Sequence, residues 1–226
     1  MTKIRGILFD LDGTIVDTEV IAERILREEL LNLGLEVNDE DVQIVTGRTW
    51  EAGLSDLFDR KSMPISKNKF KERVETRYRS ELPKRLNPIK GVIEALDVLS
   101  KEWPIGIVSG SSRHEIQIVI DGLNIGHAVK FFLGSEDYLK SKPAPDAYLA
   151  GLDELSKREK AIKPSEVLVF EDSTPGIESA KSAGTQVVAV SIANHHGHDQ
   201  SGAQSIIRDF SDVSVKWIKD LEFGSE

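Results

Sequence analysis

The segment Ile7-Leu8-Phe9-Asp10-Leu11-Asp12-Gly13-Thr14 constrains this chain more than any other part of its sequence. Three apolar residues run into two aspartates one position apart, and a Gly-Thr pair follows at once. A buried strand of a parallel sheet reads as a near-continuous apolar run, and ligands bind beyond the carboxyl ends of such strands. The segment therefore predicts a strand that delivers Asp10 to the mouth of a cleft, where a carboxylate can act as nucleophile. A spacing of two lets Asp10 and Asp12 face the cleft together if the extended geometry continues. Gly13 would let the backbone turn sharply and approach a ligand closely. Taken alone, the same residues also suit a solvated Asp-Gly turn, so the rest of the chain must supply what a nucleophilic aspartate needs.

At 226 residues the chain is long enough for one large domain, or for a core domain with a smaller insert. Hydrophobic residues at 39% and charged residues at 30% give an ordinary globular balance. The net charge of -9 argues against nucleic acid or an anionic membrane as partner, since both call for a basic surface. A small phosphate remains compatible, because a local cluster of donors can oppose the global sign. With no cysteine, disulfides, thiolate metal sites and a cysteine nucleophile are excluded. No signal-type or membrane-length apolar stretch is evident, so a cytoplasmic protein is expected.

Apolar segments at Ile4 to Phe9, Ile105 to Val108, Val167 to Phe170 and Val187 to Val190 read as core strands, with a weaker one at Val129 to Leu133. Helical patterns separate most of them, which predicts an α/β domain with a parallel sheet. Thr174-Pro175 reads as an N-cap and first-turn pair for a helix ending at Gly184, and Ser112 with Glu115 has capping-box spacing. From Asp17 to about Pro88 the alternation breaks: Ile21, Ile25, Leu26, Leu30 and Leu33, then Phe70, Val74 and Tyr78, fall near helical spacing. The expected organisation is an α/β core of 1–16 and 89–226 with an all-helical cap of 17–88, inserted after the first strand as a lid.

Each later core strand ends in a polar feature. Ser109, Gly110, Ser111 and Ser112 offer a hydroxyl and backbone N–H groups ahead of a helix, which suits an anion; a plain helix cap is the alternative. Ser141-Lys142-Pro143-Ala144-Pro145-Asp146 places one lysine in a backbone stiffened by prolines. Glu171-Asp172 is an acidic pair suited to a hard cation such as Mg²⁺, or only a polar strand end. Taken jointly, nucleophile, phosphate donors, lysine and acidic pair on successive strands make a catalytic site the better reading.

Those four segments, in that order, closely resemble the motifs of the haloacid dehalogenase-like superfamily, in its phosphatase and β-phosphoglucomutase-like branch with a small helical cap. The resemblance covers nearly the whole chain and implies a doubly wound, Rossmann-like core. It also implies an Mg²⁺-dependent phosphatase acting through a phosphoaspartyl intermediate. Asp10 would be the nucleophile and Asp12 the proton donor and acceptor. Ser109, Gly110, Ser111 and Lys142 would bind phosphate. Mg²⁺ would be held by Asp10, Asp172 and the main-chain carbonyl of Asp12, with Glu171 on a metal-bound water.

Within the family, dehalogenases lack the second aspartate, so Asp12 points to phosphate esters. Phosphonatases use a cap lysine, but Lys61, Lys67, Lys69 and Lys71 read as a solvated face. A mutase is the main alternative, yet Ala22 stands where the mutases carry a cap histidine. A non-catalytic phospho-acceptor module is a third, weakened by Asp12, which turnover needs and binding does not. The expected partner is a small phosphomonoester, of the sugar or polyol class, selected through Arg48 in the cap. Oligomeric state is left open. His195, His196 and His198 read as a surface segment, with a zinc or nickel site as the alternative.

Overall fold

The computed structural model describes residues 3–45, 50–158, 162–195 and 197–221. Its sheet has six parallel strands: β1 (Gly6–Phe9), β2 (Ile105–Val108), β3 (Val129–Leu133), β4 (Val167–Glu171), β5 (Gln186–Val190) and β6 (Ser205–Ile207). Their order is β3-β2-β1-β4-β5-β6, with β1 central. That order reverses direction at β1, so the crevice of a doubly wound sheet opens at its carboxyl end. The α/β class read from the sequence is correct. The first strand is shorter than the apolar run, because Ile4 and Arg5 precede the ladder. Strand β6 lies outside the segments that read as strands. Its three residues alternate around an exposed Ile206, leaving no apolar run to recognise.

Alternation along the strands sorts their side chains onto two faces. Leu8, Val108, Val167, Val169, Val187 and Ala189 share one cluster with Tyr148, Leu152 and Leu155 of helix α7 (Asp146–Ser156) and with Ile177 and Ala180 of helix α8 (Thr174–Ser182). On the other face Phe9 stacks on Phe170, with ring centroids 4.8 Å apart, and both meet Phe210. Register explains the pair, since Phe9 and Phe170 lie directly opposite each other. Such aromatic contacts contribute about 0.5–1.5 kcal/mol each beyond their burial.

The end strand β3 carries a different device. The Arg158 guanidinium lies 4.9 Å from the centroid of Phe131, and that of Arg113 lies 4.6 Å from the centroid of Phe132. Lys130, just before them, is exposed.

The chain divides into two compact units, one comprising residues up to Asp17 and from Pro88 onward, the other Thr18–Asn87. The second unit is helical, with α1 (Glu19–Asn32), α2 (Asp39–Gln43), α3 (Trp50–Arg60) and α4 (Lys67–Glu81). Ile21, Ile25, Leu26 and Leu30 of α1 and Phe70, Val74 and Tyr78 of α4 are buried. The helical spacing of these residues marks their inward faces. Ion pairs add to the packing. Glu29, only 3% exposed, receives Arg73 at 2.7 Å and Arg77 at 2.8 Å, and Arg77 also pairs with Glu28 and Glu81. Removing one partner from a buried carboxylate is expensive. Arg77→Ala should therefore cost roughly 2–3 kcal/mol, below the cost of a fully broken buried pair because Arg73 remains. Hydrogen exchange should show the loss in α1 and α4, with the amides of β1, β2 and β4 still protected.

Candidate active site

The strand geometry of β1 ends at Phe9, one residue before the first aspartate. Asp10 still donates its N–H to the carbonyl of Phe170 at 2.9 Å, which fixes it beside the end of β4. The chain then folds into a tight turn, in which the amides of Ile15 and Val16 return to the carbonyl of Leu11. This turn, rather than continued extension, orients the second aspartate. Gly13 occupies the left-handed region at φ 81°, and a Cβ there would lie 2.2 Å from Oδ2 of Asp172. Only glycine permits both the turn and that approach. Thr14, fully buried, donates its hydroxyl to Oδ1 of Asp172 at 3.3 Å.

Lys142 reaches the site from the loop after β3, and its peptide bond to Pro143 is cis. Its Nζ donates to Asp10 Oδ1 at 2.5 Å, to Glu171 Oε1 at 2.7 Å and to the Tyr148 hydroxyl at 3.1 Å. Burial opposes the charge on this ammonium, but Asp10 and Glu171 outweigh it and hold the lysine well above its ordinary value. Glu171 is also buried, yet Lys142 and the amides of Ser173 and Asp172 hold it below the usual carboxylate range. Asp10 fares otherwise. Burial drives its carboxyl well up, Lys142 offsets part of this, and Glu171 and Asp12 add repulsion. One ammonium thus serves two acids, and of these Asp10 is the one whose charged form is disfavoured.

Glu171, expected on a metal-bound water, accepts hydrogen bonds from the protein at both carboxylate oxygens. Oε1 accepts from Lys142 and from the Tyr148 hydroxyl, while Oε2 accepts from the amides of Asp172 and Ser173 and from the Ser173 hydroxyl. Both oxygens are engaged, so the side chain holds Lys142 to the start of α8. A Cβ on Gly176 would lie 1.7 Å from Oε1 of Glu171, so this first helical turn accepts no larger residue without displacing the carboxylate. The cap of α8 is Ser173 rather than Thr174. Ser173 accepts from the amide of Gly176, whereas the Thr174 hydroxyl donates to the carbonyl of Asp199.

Two of the serines after β2 contact the second aspartate. Ser109 Oγ donates to Asp12 Oδ2 at 3.0 Å, and Ser111 Oγ donates to the same oxygen at 2.7 Å. Gly110 between them is exposed. Ser112 caps helix α6 (Arg113–Gly122) in a full capping box with Glu115.

Two tyrosines and a glutamine complete the surroundings, and none stood out in the sequence. Tyr148 is buried against Lys142 and Glu171. Tyr138 donates to the carbonyl of Ser109 at 2.8 Å, and burial pushes its phenol up to about 12. Gln200 donates to the carbonyls of Asp172 and Val190 at 2.6 and 2.8 Å, tying together the ends of β4 and β5. The only sequence signal for Tyr148 is its place on the apolar face of α7.

Other expected positions lie elsewhere. Arg48 and His196 fall outside the described residues. His195 Nε2 pairs with Asp17 at 2.9 Å, and the His198 main chain bonds the side chain of Asn194. Lys61 pairs with Asp41, and Lys67 and Lys71 pair with Glu51, whose carboxyl they pull down to about 2. A cavity lined by Lys90, Ile192, Arg208 and Trp217 shares no residue with the acidic site. Among the described residues no group of three or more histidines and carboxylates is placed to cage a metal. Nor is any helix long and apolar enough to cross a membrane.

Residues 7–190 match the model of the haloacid dehalogenase-like hydrolase family. The chain is 27% identical to the bifunctional riboflavin kinase/FMN phosphatase of Arabidopsis thaliana over 93% of its own length, and spans 55% of that protein. It is also 27% identical to the fructose-1-phosphate phosphatase YqaB of Escherichia coli, covering 84% of this chain and 98% of that one. In structure it resembles CbbY from Rhodobacter sphaeroides, solved in complex with phosphate. The TM-score is 0.83, over 96% of this chain and 100% of that chain, at 18% identity. The protein belongs to the haloacid dehalogenase-like hydrolases, in the branch that holds phosphatases and β-phosphoglucomutases.

Proposed function

We propose that the protein is an Mg²⁺-dependent phosphatase that hydrolyses a small phosphomonoester, of the sugar or polyol class, through a phosphoaspartyl intermediate at Asp10. One observation carries this reading: a buried carboxylate at the end of the central strand, bonded to a lysine, with a second carboxylate two residues on seated against two serines. The names of the phosphatase relatives support the substrate class. Asp10 would attack phosphorus, splitting one difficult displacement into two easier ones. Asp12 would protonate the leaving oxygen and later take a proton from the attacking water. Lys142 would offset the repulsion between the Asp10 carboxylate and the phosphate, positioned for this by Glu171 and Tyr148. The exposed Gly110 between Ser109 and Ser111 would present its main-chain N–H to another phosphate oxygen.

The donor set fits a divalent cation. Among the described residues Asp10, Glu171 and Asp172 are all buried, Lys142 pairs with the first two, and burial still pushes the Asp10 carboxyl well up. Mg²⁺ prefers one or two carboxylates plus neutral oxygens, which Asp10, Asp172 and the main-chain carbonyl of Asp12 provide without a cage of three acids. Bound there, it would supply charge neutralisation at the transferring phosphoryl group.

The test is phosphate release across sugar, polyol and nucleotide monophosphates with Mg²⁺. A chelator should reduce turnover by at least ~10²-fold, and added Mg²⁺ should restore it. Label from the substrate phosphate should be found on Asp10 after an acid quench, and hydroxylamine should release it as free phosphate, leaving a hydroxamate on the residue. Turnover indifferent to chelation would overturn the metal. Interconversion of hexose 1- and 6-phosphates with no net phosphate release would identify a mutase instead.

A further inference from the structure

A cavity of about 480 Å³ lies beyond the carboxyl ends of β5 and β6, with Ile192 and Arg208 in its wall. That volume suits a small molecule. Main-chain hydrogen bonds build the wall. The amides of Ser191 and Ile192 donate to the carbonyls of Ile207 and Arg208, each at 2.9 Å, and the amide of Phe210 donates to the carbonyl of Lys90 at 2.9 Å. Ile207, Val213 and Trp217 join Ile192 in the lining, and Lys90 joins Arg208 as a second cation. Acids outnumber lysine and arginine by 38 to 29 in this chain. Among the described residues every other arginine makes an ion pair, whereas Arg208 and Lys90 make none. Two acids share the lining. Asp209 accepts the Ser211 amide at 2.8 Å, and the Ser211 hydroxyl and amide hold its carboxyl below the usual range. That carboxylate is bonded to its own loop rather than to either cation, and Asp212 is exposed.

We propose that this cavity is a second ligand site, which takes a small aromatic carboxylate on Arg208, Lys90 and Trp217. A guanidinium matches a carboxylate with two parallel N–H donors, and the Lys90 ammonium adds a point charge beside it. The Trp217 indole gives a flat ring a face or edge to pack on. Two cations against two acids leave the lining neutral, so a singly charged ligand suits it better than a phosphate dianion. None of the catalytic residues takes part, and occupancy of the cavity is independent of the phosphatase reading.

The experiment titrates 2-naphthoate into the full chain by calorimetry, with 2-naphthamide and 2-naphthylmethylamine as its neutral and cationic counterparts. The carboxylate should saturate one site and bind at least ~10-fold more tightly than the amide, and the amine should bind more weakly still. Arg208→Gln should weaken the carboxylate by about tenfold or more and bring it level with the amide, while phosphate release and the melting temperature stay as in the wild type. In a ¹⁵N NMR titration the indole N–H of Trp217 should shift, and those of Trp50 and Trp103 should not. Saturating inorganic phosphate with Mg²⁺ should leave the naphthoate affinity within about twofold. No saturation by about 10 mM would overturn the proposal, and so would an affinity that Arg208→Gln leaves unchanged or that the amide matches. Competition by phosphate would place the naphthoate in the acidic site and defeat the proposal equally.

Discussion

Asp10→Asn should lower turnover by at least ~10⁴-fold, the scale of losing a catalytic nucleophile, while leaving the melting temperature unchanged or raised. The amide keeps an oxygen that can accept from Lys142, so the contact seen at 2.5 Å has a substitute. It cannot attack phosphorus. It also removes a carboxylate that burial pushes well up, and with it the repulsion against Glu171 and Asp12. Activity and stability should thus separate, as expected where a site holds charge for chemistry at a cost to the fold. Phosphate release with Mg²⁺ and a thermal melt of the same sample check both halves. Wild-type turnover would remove Asp10 as nucleophile, and a melt lowered by several degrees would refute the charge account.

Lys142→Met should do the opposite to stability. The thioether fills the volume of the stem but leaves Asp10 and Glu171 buried without their shared cation. Breaking such an arrangement costs about 3–5 kcal/mol, or a fall of about 10 °C in melting temperature for a domain of this size. Turnover should fall as well, because the phosphate would meet an uncompensated carboxylate. The pH dependence has a definite sign. In the wild type Glu171 is held below its ordinary value by Lys142, so its contribution is present above that value and fades in acid. Without the lysine, burial raises both carboxyls, and the variant gains stability as pH falls through their raised values. The gap between the two proteins should be widest near neutrality and narrow towards pH 4. A constant gap would count against the ion pair as its origin.

How far the sequence reached follows from the range of each interaction. Ile7 to Phe9 and Val167 to Phe170 were legible as strands because both faces of a central parallel strand are buried, which leaves an unbroken apolar run. The capping box of Ser112 and Glu115 is local, and it forms as read. The cap of α8 was misplaced by one residue, since Thr174 spends its hydroxyl on Asp199, a choice no local pattern encodes. Asp10, Asp12, Lys142 and Asp172 could be singled out by residue type at strand ends. Their division of labour could not. Glu171 serves a lysine 29 positions away, and Asp12 is seated by serines 97 and 99 positions away. Tyr148 was hidden for the converse reason: a helix that buries an apolar face needs no further explanation for one aromatic residue.

The guanidinium groups laid over Phe131 and Phe132 have a consequence beyond local packing. β3 ends the sheet, and an end strand with bare aromatic rings is a template on which other chains nucleate fibrils. Flat cations on both rings and the exposed lysine that precedes them make the next layer electrostatically hostile. The border of the sheet is thereby guarded against self-templating, at the point where the hydrogen-bonded ladder runs out.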